Sequence, residues 1–266
     1  MSSILETELR RGRWRRHLAV EALDRSDQED FSLGGLGSNV EFPTTRLLLL
    51  PPDPDSDTVE FDDQFWDWLQ EHRDIQIGDG QVNLGHQIIP GPHTAALAVE
   101  SGDHGKWRSY TAIHRNGTIE VGLGDRGGRV HSASGEEATR YFWLKPAVAF
   151  TWAIGELART MPGGETEGRF LLAIALRDTK GGRLGHFGEG WREPWQGGFL
   201  TDSLRPCQHR HLLWHVEIDR LPDDTPTAQA LAFSAGDRID NAWRCRSKRY
   251  LDHRGPMAGQ FNLQQI

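Results

Sequence analysis

One segment of the chain restricts its fold more than any other. In YFWLKPAVAFTWAIGELARTMPGG (141–164), Pro146 suits the first turn of a helix and Pro162 follows its end. The residues between them are apolar almost all around the helix, and such a helix is stable in water only when other elements cover it. The sequence therefore predicts a buried central helix over 146–161. Its apolar residues are Ala147, Val148, Phe150, Trp152, Ala153 and Ile154.

Strands predicted from the rest of the chain supply this cover. Asn116-Gly117 predicts a hairpin with a type I′ turn, and DTKGG (178–182) predicts a second hairpin. Strands that do not alternate regularly with helices indicate an α+β fold, here with a mostly antiparallel sheet of several hairpins. The strands next to the central helix are expected near 107–114, 118–123, 169–177 and 208–218.

A last helix is predicted over 226–244, with Thr225 as its N-cap and Pro226 at its first position. The chain divides into an N-terminal helical and acidic segment, 1–73, and an α+β domain, 74–266. A single continuous domain is the alternative.

The stretch CQHRHLLWHVEIDR (207–220) places one cysteine and three histidines within nine residues. Interpreted as a strand, it turns its apolar even positions to the core and all three histidines to the other face. His209 and His211 then lie about 6.6 Å apart along the strand, where both imidazoles can reach one metal ion. Cys207 lies on the same face and is a candidate ligand as well. A third ligand from elsewhere in the chain would be a neighbour such as His186, Cys245 or His253. His215 is about 13 Å from His211, too far to join that pair.

Two interpretations of this stretch remain open. One is a Zn or Mn site of a metal-dependent hydrolase or nuclease, in which Glu217 orients a ligand or acts as the base. The other is a polar, partly exposed sheet face without a metal. We expect the second and therefore no cofactor.

The net charge of −8 is unevenly distributed. Residues 10–16 carry five Arg and no acid, residues 244–254 carry five basic residues and one Asp, and residues 53–79 carry ten acids and one Arg. Nucleic acid would therefore meet two basic terminal segments and be repelled by the region between them, unless both ends are only solvated surface. The candidate contacts are Arg10, Arg11, Arg13, Trp14, Arg15, Arg16, Arg246, Lys248 and Arg249.

A glycine-rich loop, GEGWREPWQGG (188–198), carries Trp191 and Trp195. Aromatic residues in such a loop stack on bases, sugars or a partner protein, or more often fold back over the edge of a core.

Other features concern location and catalysis. The two cysteines lie 38 positions apart and form no disulfide framework, and we see no signal peptide or membrane-spanning run, so a cytoplasmic protein is expected. Arg far outnumbers Lys, which favours a GC-rich, bacterial coding sequence.

GLGDRGG (122–128) matches a dinucleotide-binding pattern, but no helix start follows it.

Four segments carry a resemblance to a known family: SYTAIHRNGTIEVG, YFWLKPAVAFTWAIGELA, ALRDTKGGRLGHFGEGW and LAFSAGDRIDNAW. Their order resembles the C-terminal region of some bacterial proteins with a Schlafen-type AlbA domain, over roughly residues 75–250. The resemblance implies association with a nucleic-acid-binding or ATP-binding family of regulatory or defence character. The AlbA signature itself is not visible in residues 1–74, so no active-site residue is carried over.

These observations favour a cytoplasmic, non-catalytic interaction or regulatory module that acts through a partner protein. Its Arg-rich termini contact nucleic acid, and its role lies in bacterial defence or regulation. The alternative is the metal-dependent enzyme of the His-x-His segment. No association with a membrane is expected.

Overall fold

A computed structural model describes residues 45–77, 80–100, 107–124, 128–131, 139–186, 200–201 and 206–244. Within these ranges the chain has three helices and thirteen strands, so the predicted α+β fold is confirmed. The helices are α1 (Asp63–Glu71), α2 (Leu144–Thr160) and α3 (Thr225–Ala242). The first seven strands are β1 (Thr45–Leu50), β2 (Asp74–Ile77), β3 (Gly80–Asn83), β4 (Gln87–Pro90), β5 (Thr94–Glu100), β6 (Trp107–His114) and β7 (Ile119–Leu123). The others are β8 (Gly128–His131), β9 (Thr139–Trp143), β10 (Phe170–Leu176), β11 (Arg183–His186), β12 (Leu200–Thr201) and β13 (Leu212–Ile218).

Seven strands form one antiparallel sheet in the order β13-β10-β1-β7-β6-β5-β4. β1, the apolar run TRLLLL, lies between β10 and β7, with Leu48 opposite Ala173 on one side and Glu120 on the other. A strand buried on both faces reads as such a continuous apolar run. Both neighbours of β1 follow residue 74, so the boundary between 73 and 74 does not separate β1 from this sheet.

The large sheet has two faces, since successive side chains of a strand point in opposite directions. The helix face packs against α2, which in turn packs along α3, and in β1 this face carries Leu47 and Leu49. The second face carries Leu48 and Leu50, which belong to a separate buried cluster with residues of β10.

α2 is the buried central helix that the sequence predicts. It begins at Leu144, two residues before the predicted start, and ends at Thr160. Trp152 is only 2 % exposed, and Ile154 and Leu157 are fully buried. α2 contacts β1 and β7 of the large sheet and packs along α3. Of the described helices, none combines the length and the apolar character needed to cross a membrane.

β6 and β7 form the predicted hairpin, but the predicted type I′ turn is wrong. Four residues, 115–118, connect the strands, and the Gly117 N–H donates to the His114 carbonyl at 2.9 Å. A type I′ turn needs positive φ at both central residues, whereas Gly117 alone has it here, at 81°. The Asn116 side chain instead accepts from the Thr118 N–H at 3.0 Å.

The second predicted hairpin is also wrong. β10 pairs with β1 and β13, while β11 pairs with β9 and β12 in a separate sheet of order β12-β11-β9-β8. Asp178 and Gly181 have positive φ, 52° and 80°, so DTKGG does form a turn. That turn leads the chain out of the large sheet instead of back along β10.

Two of the three described helices begin at a capping side chain. Asp62 caps α1 by accepting from the Phe65 N–H at 2.9 Å. The predicted cap of the last helix is wrong by one residue, because Asp224 caps α3 and accepts from the Thr227 N–H at 2.8 Å. Asp and Thr both serve as N-caps, so residue type alone does not choose between neighbours.

Candidate interaction surface

β13 forms one edge of the large sheet. Among the described strands it pairs only with β10, over all seven residues from Leu212 to Ile218. Every residue of β13 is half-buried, whereas every residue of β10 is buried. Solvent therefore reaches β13. An edge strand presents a row of backbone N–H and C=O groups that can pair with a strand of another chain.

The opposite edge is built differently. β4 has only four residues and ends at Pro90, which lacks an N–H. Short edge strands and prolines keep a sheet from extending. β13 is longer by three residues and contains neither Pro nor Lys. Of these two edges, β13 is thus the one suited to accept a further strand.

A shallow groove with a cavity volume of about 20 Å³ runs beside this edge, between β13 and α3. Its apolar lining includes Trp214 and Val216, which are half-buried and pack on the main core. Arg238 of α3 adds an exposed positive charge. The groove therefore offers an apolar surface beside the edge strand and a partner for an acidic side chain. The complete lining is Leu172, Ile174, Trp214, His215, Val216, Ser234, Ala235 and Arg238.

The second face of β13 is polar. His215 and Glu217 lie opposite Ala173 and Leu171 of β10, which belong to the second face. Arg169 Nη1 lies 3.8 Å from Glu217 Oε1. Because the Arg169 side chain is 59 % exposed, this ion pair stabilises the edge only weakly. The even positions of β13 pack on the helix-face core, so the predicted orientation of this strand is confirmed.

The predicted metal-binding residues do not lie on the predicted strand. β13 begins at Leu212, so the expectation of a strand from 208 is wrong, and strand alternation does not place His209 and His211 on one face. Both histidines are exposed, whereas Cys207 is buried. The segment is shaped by the neighbouring turn, since Thr179 Oγ1 donates to the His209 carbonyl at 2.8 Å. The Cys207 N–H likewise donates to the Gly182 carbonyl at 2.8 Å.

The geometry gives the metal site no support. Within the part of the chain that the structure describes, no group of three or more His, Cys, Asp or Glu side chains is arranged to hold a metal ion. The Zn or Mn site stays a prediction. Elemental analysis of protein purified without chelators tests it, and a metal content far below one equivalent would contradict it.

Sequence reasoning missed a buried polar cluster on the second face of the sheet. Glu120 of β7 lies at its centre, and the Tyr110 hydroxyl donates to Glu120 Oε1 at 2.5 Å. Arg46 Nη1 lies 3.6 Å from the same oxygen. His114 Nε2 lies 3.4 Å from Glu120 Oε2. Arg46, Tyr110 and Glu120 are all buried, with at most 2 % exposed.

The cluster joins opposite charges inside the sheet. A buried carboxylate is tolerated when a cation and hydrogen-bond donors surround it, and Arg46 and Tyr110 supply both to Glu120. We interpret the cluster as a fixed link between β1, β6 and β7. Its signal in the sequence is a charge inside an apolar strand, as in TTRLLLL and TIEVGL. The strand pairing that brings the two charges together is not readable from those strings.

The remaining predicted site residues lie outside the described residues. They are Trp191 and Trp195 of the glycine-rich loop, and Arg10, Arg11, Arg13, Trp14, Arg15, Arg16, Arg246, Lys248 and Arg249 of the terminal segments. The N-terminal helix expected before residue 45 also lies there.

Comparison with models of protein families, with curated proteins and with solved structures gives no match for this chain.

Proposed function

We propose that the chain is a cytoplasmic interaction module that acts by binding a partner protein rather than by catalysing a reaction. The partner adds an extended segment to the edge strand β13. The observation that supports this is the edge itself, which is seven residues long, half-buried and without proline, and lies beside an apolar groove.

Strand addition uses both parts of this surface. Backbone hydrogen bonds to β13 supply affinity, and pockets for alternate side chains supply specificity. Side chains of the added strand that point to the helix face meet Trp214, Val216 and Arg238 of the groove. Side chains that point to the second face meet His215 and Glu217.

The rest of the proposal has its support in the sequence alone. The Arg-rich termini contact nucleic acid, and Trp191 and Trp195 add to the contact with the partner protein. A role in bacterial defence or regulation follows from the resemblance to proteins with a Schlafen-type AlbA domain.

Site-specific photo-crosslinking tests the proposed edge. A photo-reactive amino acid at position 215 of β13 should give a covalent adduct with a protein in the native host. The same amino acid at position 87 of the closed edge, β4, is the matched control and should give none. No adduct from position 215, or equal adducts from both positions, contradicts the proposal.

Hydrogen exchange then tests whether the adduct reports strand addition. The partner identified by crosslinking is purified and mixed with the chain. Amide exchange should slow in Leu212–Ile218, because outward N–H groups become hydrogen-bonded, and should not change in Gln87–Pro90. Binding that leaves exchange in β13 unchanged excludes strand addition as its mode.

A further inference from the structure

We propose that the strand added to β13 is β13 of a second copy of this chain, paired antiparallel about a twofold axis at Val216. The inference rests on the proposed function, since it names the partner of the same edge. It is carried by the polar residues of the edge and their spacing on one face.

The geometry of a continuous sheet limits how two copies can pair. Paired residues of antiparallel strands point to the same face, because successive side chains alternate. His215 must therefore face an odd-numbered residue of the second copy, and Val216 an even-numbered one. Three registers satisfy this rule and keep at least five strand residues of each copy paired. Their axes lie at Trp214, His215 and Val216.

The three registers differ in which polar side chains face each other. An axis at His215 sets the two His215 side chains against each other and Glu217 against Leu213 of the second copy, so neither polar residue meets a partner of opposite character. An axis at Trp214 leaves Glu217 beyond the paired strand residues. An axis at Val216 places His215 opposite Glu217 of the second copy, and the twofold axis makes this contact twice. Cross-strand pairs of opposite character stabilise a sheet, whereas like charges directly opposite each other destabilise it.

The helix face fits the same register. With the axis at Val216, Trp214 lies opposite Ile218 of the second copy, and the axis makes this contact twice. Val216 lies opposite Val216 of the second copy. These residues are half-buried and pack on the main core, so pairing extends that apolar layer across the axis. An isologous contact of this kind closes after two copies and builds no filament.

Sedimentation velocity from micromolar to submillimolar concentration tests the inference. The wild-type chain should be in reversible equilibrium between one and two copies. His215→Glu sets two carboxylates against each other in both contacts, and Glu217→Lys sets a histidine against a lysine. Each substitution should weaken self-association about tenfold or more, since the contact between an imidazole and a carboxylate is lost at two places.

An equimolar mixture of the two variants gives the sharpest result. In the mixed pair, the introduced glutamate faces the introduced lysine, and the native His215 faces the native Glu217, so association should return to nearly the wild-type level. His86→Glu and Glu60→Lys make the same changes at exposed positions outside β13 and should associate like wild type. Thermal melts check that the variants fold, because Glu217→Lys also faces Arg169.

The inference is overturned if the wild-type chain stays a single copy over the whole range. It is also overturned if both β13 variants associate like wild type, or if their mixture does not recover. These results would not decide the proposed function. A crosslink from position 215 to a different protein would leave strand addition standing with another partner.

Discussion

At the scale of single residues, the centre of the second face depends on two opposite charges. Glu120 is fully buried and Arg46 is 2 % exposed, so each would be costly to bury without the other. The Tyr110 hydroxyl donates to Glu120 and holds the tyrosine ring over Gly122 on the neighbouring strand. The Glu120 carboxylate therefore both pairs with Arg46 and keeps the Tyr110 ring close to the backbone of β7.

We expect Glu120→Gln and Arg46→Met each to lower the free energy of unfolding by about 3–5 kcal/mol, because each leaves one buried charge without its partner. The double variant should cost much less than the sum, since it leaves neither of these two charges behind. Denaturant unfolding of the four proteins measures the coupling. Additive losses would show that the two side chains do not stabilise each other.

Gly122→Ala should also destabilise the chain, by about 1–3 kcal/mol or more, because overpacking a rigid core forces neighbours to shift. A Cβ atom at this position would overlap the Tyr110 ring. Gly155→Ala in α2 is the control, since its Cβ would lie 3.8 Å from Pro222, an ordinary contact. That change should stabilise the helix by about 1 kcal/mol. Thermal melts compare the two, and equal effects would contradict the packing described.

The sequence shows which strand positions are unusual but not why they are tolerated. Glu120 stands out between Ile119 and Val121, and alternation places it on the face away from them. Its partner Arg46 lies 74 positions earlier in the chain. Their contact depends on the pairing of β1 with β7, which no local pattern encodes.

At the scale of elements, a substitution in the buried helix α2 and one in the exposed segment before β13 should have different effects on stability. We expect Trp152→Ala to cost about 3–5 kcal/mol, the usual loss for truncating a buried large aromatic residue. His211 is exposed just before β13, so His211→Ala should cost less than about 1 kcal/mol in the absence of a metal. Denaturant melts measure both. A wild-type melt for Trp152→Ala, or a collapse of His211→Ala, would show that the faces are assigned wrongly.

The cap of α3 has a pH dependence. Hydrogen bonds from the Thr227 side chain and backbone lower the pKa of Asp224 below its ordinary value of 3.8. The ionised form is thus favoured in the folded chain. Its contribution to stability is complete above the ordinary pKa and is lost as the pH falls through the lowered one.

Asp224→Ala should therefore lower the melting temperature at neutral pH, and the difference from wild type should shrink below the ordinary pKa of 3.8. Asp224→Asn is the control, because an amide oxygen still caps the helix but does not titrate in this range. Melts from neutral pH to about pH 2, well below the ordinary pKa of an aspartate, test this. A difference that does not depend on pH would contradict it.

The sequence predicts single helices and strands better than it predicts which strands pair. The apolar pattern around Trp152 identifies α2, because burial on several sides leaves a long apolar run. The turn at 178–182 was equally visible, yet β11 pairs with β9 and not with β10. A turn motif indicates that the chain changes direction. Strand pairing depends on contacts between residues that are far apart in the sequence.

At the scale of the whole molecule, the large sheet is asymmetric. One edge, β4, is short and closed by Pro90, while the other, β13, is long and borders a groove. The net charge of −8 keeps nucleic acid away from most of the surface. Any such contact should therefore be confined to the Arg-rich segments, which lie outside the described residues.

We expect the chain to bind oligonucleotides at low salt through residues 10–16, and the affinity to fall steeply as salt is added, because phosphate contacts release counterions. Replacing all five Arg of this segment by Ala should weaken binding and make the slope against salt shallower by about four units on duplex DNA. The matched control replaces five exposed arginines of the described residues, with the same change in net charge: Arg108, Arg169, Arg210, Arg220 and Arg238. That control should keep most of the slope, since the loss depends on where the charges lie and not on their sum. A mobility-shift titration over several salt concentrations decides the question. No binding at low salt, or equal losses in both variants, would remove nucleic acid from the proposed function and leave only the proposed contacts with a partner protein.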